Sequence, residues 1–384
     1  MNLYSKLRKL ISEKYLNLTN KNYLTDYNPY KLKTNKRALV YYKYSRNFTK
    51  AKIGTTEYQC LALTEAINKF GYLVTVVDRK TKFKVNHFYD IFIGAFNTGG
   101  FVHFNHILKQ LSKKTKVIGF STGANPNFMK KEFQKRVRMF EKRNKVNLNN
   151  ISRFSSNNFD QIKKKMNFLI YFGYVNGFVD KSYSKFNKKF DLQPCISNKI
   201  KSSPKKITKK QELKNFIYYS GSGFLHKGLD MILEFFVKHP EYKLHICSPS
   251  HEKKFLNFYN IKKYKNIIYE GNVKEDSSKA REIFSKCCFI ISMNCSGGGS
   301  ASLAVGRKYG LIPVVWKNED CNPKACVLIN KEKISEIKKK IELVSKMSIK
   351  RFNMLSKENY YIAHENSSLN YSNRLKEIFK KIAI

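Results

Sequence analysis

The sequence predicts an α/β protein of two doubly wound domains facing one another across a cleft. Three observations predict it. Apolar, strand-like runs alternate with amphipathic helical stretches along most of the chain. A polar segment near the middle interrupts that alternation. Glycine-rich turns follow several apolar runs, where a parallel sheet presents its ligand-binding loops. A length of 384 residues suits two domains of ordinary size.

Residues 1–35 read as a basic N-terminal extension rich in Tyr and Asn. Leu3, Leu7, Leu10 and Ile11 fall at helical spacing with Lys6, Arg8 and Lys9 between them. That is a short basic amphipathic helix, either docked on the protein or lying on a membrane surface. Residues 36–196 are the first domain. ALVYY (38–42) is a strand, and 55–70 is a helix through Tyr58, Leu61, Leu63, Ala66 and Ile67 that Gly71 ends. LVTVVD (73–78) and DIFIGA (90–95) are strands, and 103–111 is a helix. KVIGF (116–120) is a strand running into the loop STGANPN, followed by a basic helix over 129–143 and the strand NFLIYFG (167–173).

SNKIKSSPKKITKKQ (197–211) is polar, charged and nearly free of apolar residues, and reads as the interdomain linker. The second domain spans 212–365. Its strands are NFIYYSG (215–221), KLHICSP (243–249), NIIYEG (266–271), CFIISMN (288–294), LIPVVW (311–316) and ACVLIN (325–330). Helices fall over 227–238, 277–286, 300–309 and 331–347. Residues 366–384 carry a last helix, 369–382, with Leu375, Ile378 and Phe379 as its apolar stripe.

With 42% hydrophobic and 27% charged residues, the chain can bury a core and is not disordered. No apolar run is long enough to span a bilayer, and Lys and Glu interrupt the first residues where a secretory signal would be apolar. Lys and Arg number 74 against 28 Asp and Glu, a net charge of +46 spread over both halves. This fits a polyanionic partner such as nucleic acid, anionic lipid or a phosphorylated substrate. It also fits a composition biased to Lys, Asn, Tyr, Phe and Ile. An anionic membrane surface would be met through Lys6, Arg8 and Lys9 and the helix carrying Lys130, Lys131, Lys135, Arg136 and Arg138. No RRM, KH, zinc-finger or helix-turn-helix signature is present, so nucleic acid is not an expected partner. The eight cysteines are scattered without a CxxC and the histidines lack ligand spacing. Reduced core thiols in a cytoplasmic protein, and no metal, are the expectation.

Two loops carry the chemistry. Strand NFIYYSG leads into SGFLHKGLD (222–230). There Gly221 and Gly223, with Ser222, allow backbone N–H groups to approach a ligand, and a helix start favours an anion. Lys227 supplies a formal charge for a diphosphate, or is a solvated lysine; mechanism alone leaves both open. The second loop is SMNCSGGGSASLAVGRKYGLIPVV (292–315). Ser296, Gly297, Gly298, Gly299, Ser300 and Ser302 make a nest of donors suited to phosphate or sugar oxygens. In the first domain, Gly54, Thr55 and Thr56 at a helix start offer donors to a phosphate or an acceptor hydroxyl. Thr122 and Asn125 can bond sugar hydroxyls, although Asn125 equally suits a turn.

The HKGLD turn and the Ser-Gly-Gly-Gly-Ser loop ahead of YGLIPVV, about 80 residues apart, together resemble the C-terminal domain of retaining GT-B glycosyltransferases of the large group 1 (glycogen-synthase-like) family. The likeness is strongest over about 212–330. It implies two Rossmann-like domains, the last helix packing back on the first domain, and metal-independent transfer from a UDP- or GDP-sugar with retention. The acceptor implied is a glycan or lipid-linked glycan of bacterial cell-surface polysaccharide, met in the cytoplasm or peripherally at the inner membrane face. Donor contacts would come from Gly221, Ser222, Gly223, Lys227 and the second loop. Asn125 would stand near the family's first-domain His, as a catalytic position. The family's Glu-x7-Glu acids would fall at Gly297 and Val305, and its Arg ahead of the Lys at Ser222, so those acids and that Arg are missing here. A degenerate, non-catalytic relative that binds a glycan or a protein is the alternative.

Overall fold

Short runs rich in Val, Ile and Phe become the inner strands of two sheets, because helices cover both faces and no position along them meets water. The computed structural model describes residues 22–97, 101–148, 159–249, 253–295, 297–298 and 301–383. The first sheet holds β1 (Tyr23–Tyr27), β2 (Arg37–Tyr42), β3 (Leu73–Asp78), β4 (Ile91–Ala95), β5 (Lys116–Ser121), β6 (Phe168–Phe172) and β7 (Lys189–Leu192). Their order is β1-β3-β2-β4-β5-β6-β7, parallel except for β1, which pairs antiparallel with β3. The second sheet holds β8 (Asn215–Tyr219), β9 (Lys243–Cys247), β10 (Ile267–Gly271), β11 (Phe289–Ser292), β12 (Ile312–Trp316) and β13 (Val327–Ile329). It is fully parallel, in the order β10-β9-β8-β11-β12-β13.

The order reverses between β8 and β11 in the second sheet and between β2 and β4 in the first. Loops leaving the carboxyl ends of strands at such a reversal diverge and leave a crevice for a ligand. Both glycine-rich loops of the second domain leave β8 and β11, on the two sides of that crevice.

Several elements were not read from the sequence, among them the strand Lys189–Leu192 and the two that follow. Within the expected extension, Tyr23–Tyr27 is an edge strand whose Tyr23 ring packs on Phe83 at 5.3 Å while Leu24 and Tyr27 join the opposite core. The amphipathic helix expected around Leu3–Ile11, with Lys6, Arg8 and Lys9, lies outside the described residues. Helix Ile349–Ile362 buries Phe352, Ser356, Asn359 and Ile362. Half of that stripe is polar, so apolar periodicity does not reveal it. The polar segment 197–211 is not a free tether, since Ile200 and Ile207 are buried in the second domain's cores. The last helix, Ser368–Ile382, lies on the first sheet's core through Tyr371, Leu375, Ile378, Phe379 and Ile382.

Candidate functional site

The first glycine-rich loop begins where Ser220 N donates to Cys247 O, the last rung between β8 and β9. Gly221 is exposed, with open space where a Cβ would stand, and Gly223 adopts φ +102. Lys227 N donates to Gly223 O at 2.8 Å, and Gly228, at φ +71, precedes helix Leu229–Phe236. Lys227 is half-buried and sits just ahead of this helix rather than on its first turn.

The second loop is stitched to the first. Met293 N donates to Lys227 O at 3.2 Å and Cys295 N to His226 O at 3.0 Å. The Cys295 thiol stands 3.7 Å from His226 Nδ1. Gly297 and Gly298 have φ +64 and +132 and face the first domain. A Cβ on Gly297 would meet the Phe178 ring at 2.7 Å, and one on Gly298 would lie 3.2 Å from Thr122 O. Their lack of side chains therefore admits the STGAN loop to the backbone. Ser302 is half-buried in helix Ala301–Lys308. Ser296, Gly299 and Ser300 lie outside the described residues.

Across the cleft, the Asn97 carboxamide ties down Ser121 and Thr122. Asn125 Oδ1 accepts from Asn127 N at 3.0 Å and so caps helix Pro126–Asn144, while its backbone N donates to Ser182 Oγ. The Asn125 carboxamide oxygen thus takes the turn role that the sequence also suited. The Gly54 turn is in contact with the second domain. The Glu275 carboxylate of the second domain accepts from Ser197 N at 2.7 Å and fills the place of a Gly54 Cβ. Thr55 caps its own helix by accepting from Tyr58 N, and Thr56 is that helix's first residue. The Glu275 carboxyl therefore stands against the turn that the sequence assigned to a phosphate or an acceptor hydroxyl.

The basic 126–144 helix gives the largest correction. It packs on the second domain, which takes Arg136 out of reach of any membrane surface, while Lys131, Lys135 and Arg138 stay exposed. Arg136 is fully buried: its guanidinium pairs with Glu332, donates to Met293 O at 3.0 Å and lies 3.9 Å from Asp230. A Cβ on Gly228 would stand 2.4 Å from Arg136. Lys135 pairs with Glu332 at 3.0 Å, and Arg143 with Asp230 and Glu234. Phe133 packs edge-on to His226, and Phe140 meets Phe255, Phe258 and Tyr259. Sequence inspection could not pair Arg136 with Glu332 across 196 residues.

A second contact runs the other way. Asp320, in the loop after β12, accepts from Val179 N at 3.0 Å and Tyr174 N at 3.4 Å in the first domain. Burial pushes its carboxyl up to about 6, and burial likewise pushes Glu275 up to about 7. Among the described residues no group of three or more His, Cys, Asp or Glu is placed to hold a metal ion.

No protein-family model matches the chain, and no curated protein matches it. Solved structures do. Sucrose-phosphate synthase (tll1590) from Thermosynechococcus elongatus matches over 91% of this chain and 99% of its own, with TM-score 0.60 and 8% identity. WaaG, a glycosyltransferase involved in lipopolysaccharide biosynthesis, matches over 90% and 99%, with TM-score 0.52 and 13% identity. Anabaena Alr3699/HepE, in complex with UDP and glucose, matches over 90% and 100%, with TM-score 0.53 and 9% identity. The chain has the GT-B fold. The crystal structure of TarM matches 76% of this chain at 17% identity and TM-score 0.49; the chain spans 54% of its length. In the GT-B frame the two stitched loops occupy the crevice of the second Rossmann-like domain, and the first domain closes on them through the 122–125 loop and the 126–144 helix. No helix among the described residues is long and apolar enough to cross a membrane.

Proposed function

We propose that this chain is a glycosyltransferase that moves a sugar from a nucleotide-sugar donor, UDP- or GDP-linked, to a glycan or lipid-linked acceptor of a bacterial cell surface, with retention and without a metal. One observation carries the reading. Two glycine-rich loops flank the strand-order reversal of the second sheet, are hydrogen-bonded to each other through Met293 and Cys295, and face the other domain of a GT-B fold. A leaving diphosphate gains negative charge as its bond to the sugar breaks, and preorganised N–H donors with a cation stabilise it. On this reading Gly221, Ser222, Gly223, Gly297, Gly298 and Ser302 supply the donors and Lys227 the cation. Thr122 lies opposite, on the acceptor side. The experiment is incubation with UDP- and GDP-sugars, following nucleotide release with and without chelator. Release from neither class, together with no thermal stabilisation by UDP or GDP, overturns the reading.

The close packing of Gly297 and Gly298 on Thr122 and Phe178, at a loop that lacks the family's acid, favours a second reading: a non-catalytic protein that binds a glycan or protein partner. It requires nucleotide or glycan binding without turnover.

A further inference from the structure

Away from the cleft, the segment 201–206 crosses the ends of helices Ser278–Lys286 and Ala301–Lys308 and encloses a groove of about 880 Å³ with them. Crossover helices run back against their strands, so these ends lie at the amino ends of the second sheet, opposite the glycine-rich loops. Lys205 pins the segment there. Its Nζ donates to Ser285 O, and its backbone N lies 2.6 Å from the place of a Gly310 Cβ. Tyr309 lines the groove, its ring stacked on Phe284 at 4.5 Å and its hydroxyl donating to Glu275 O.

Five lining side chains are cations, Lys201, Lys205, Lys206, Arg281 and Lys357, and no lining residue is acidic. None of the five makes an ion pair with a described residue. That separates them from Lys135, Arg136, Arg143, Lys189 and Arg374, each of which faces a carboxylate. Like charges gathered around a concavity repel one another and focus the field inward, so an anion entering the groove relieves repulsion and gains attraction together. The concave shape suits a chain carrying repeated charges better than a flat surface.

We propose that this groove is an anion site for a phosphate-bearing chain, separate from the nucleotide-sugar cleft and independent of the transferase reading. The probe is tripolyphosphate, titrated calorimetrically into wild type and two charge-reversed pairs. One pair, Lys206→Glu with Lys357→Glu, lies in the groove. The other, Lys380→Glu with Lys381→Glu, reverses two exposed lysines of the last helix. Loss of the contacts should weaken binding about tenfold or more in the groove pair, with little change in the control pair. Lys206→Gln with Lys357→Gln should give a smaller loss in the same direction, and melting curves check that each variant folds. If the groove pair instead loses binding only to phosphatidylglycerol vesicles and keeps tripolyphosphate, the groove meets a lipid headgroup and the phosphate-bearing chain is overturned. Equal losses in both pairs, or no loss in the groove pair with either probe, would mean diffuse surface charge and overturn the site.

Discussion

Lys227 is held by its own backbone, N to Gly223 O and O from Met293 N, and is half-buried just ahead of the helix. Lys227→Ala should remove one charge-assisted contact worth roughly 1.5–3 kcal/mol. Because that contact strengthens as the diphosphate leaves, kcat should fall along with donor affinity, and Lys227→Arg should recover only part. Steady-state kinetics and an unchanged melting curve check this; wild-type turnover would remove Lys227 from the donor site. Gly228 behaves differently. Its φ of +71 disfavours any side chain, and a Cβ would collide with Arg136 and Met293 at 2.4 Å. Gly228→Ala should therefore destabilise the protein by about 2–4 kcal/mol, read as a lower urea midpoint.

At the scale of elements, the 126–144 helix is the piece whose role changed most between sequence and structure. Its Lys- and Arg-rich composition suits an anionic surface, yet Arg136 is among the most buried side chains in the chain. The second domain supplies Asp230, Glu234 and Glu332 to receive it, and a buried cation is tolerated only with such partners. Arg136→Ala leaves Glu332 with Lys135 alone and Asp230 with Arg143 alone, and should cost about 3–5 kcal/mol. Arg136→Met combined with Glu332→Gln should restore much of that loss, since the surviving pair is then neutral. A denaturation cycle over both single variants and the double gives the coupling. Additive losses would mean that the pair is not coupled.

For the molecule as a whole, Glu275 and Asp320 are carboxylates buried between domains, one reaching from each side of the second sheet's loops to backbone N–H groups beyond it. Burial raises both, Glu275 to about 7 and Asp320 to about 6. An acid raised in the folded state binds a proton that the unfolded chain has released, so its contribution is fully present below about pH 4 and fades as pH rises through 6 to 7. Each group should account for a loss on the order of 2–3 kcal/mol over that window. Urea midpoints at pH 5 and pH 7.5 should fall for wild type and fall less for Glu275→Gln, which keeps an oxygen for Ser197 N but cannot ionise. Identical slopes in the two proteins would show that Glu275 does not titrate in this range.

The sequence by itself determined the two parallel-sheet domains and the placing of both glycine-rich loops at strand ends. Strand runs such as LVTVVD and FIIS are local signals, because burial on both faces demands continuous apolar stretches. It missed Tyr23–Tyr27, whose YLTDY is too polar to stand out and which pairs only because β3 offers an edge. It also missed the helix Ile349–Ile362, where Ser356 and Asn359 face inward. The tertiary structure alone decided which groups meet across the cleft. Arg136 with Glu332, Glu275 with Gly54 and Asp320 with the Val179 N–H each join positions far apart in the chain. A charge has no periodicity to announce its partner. Its fate, solvated on a surface or buried in a pair, depends on what the other domain brings within a few ångströms, and that is a property of the packed molecule.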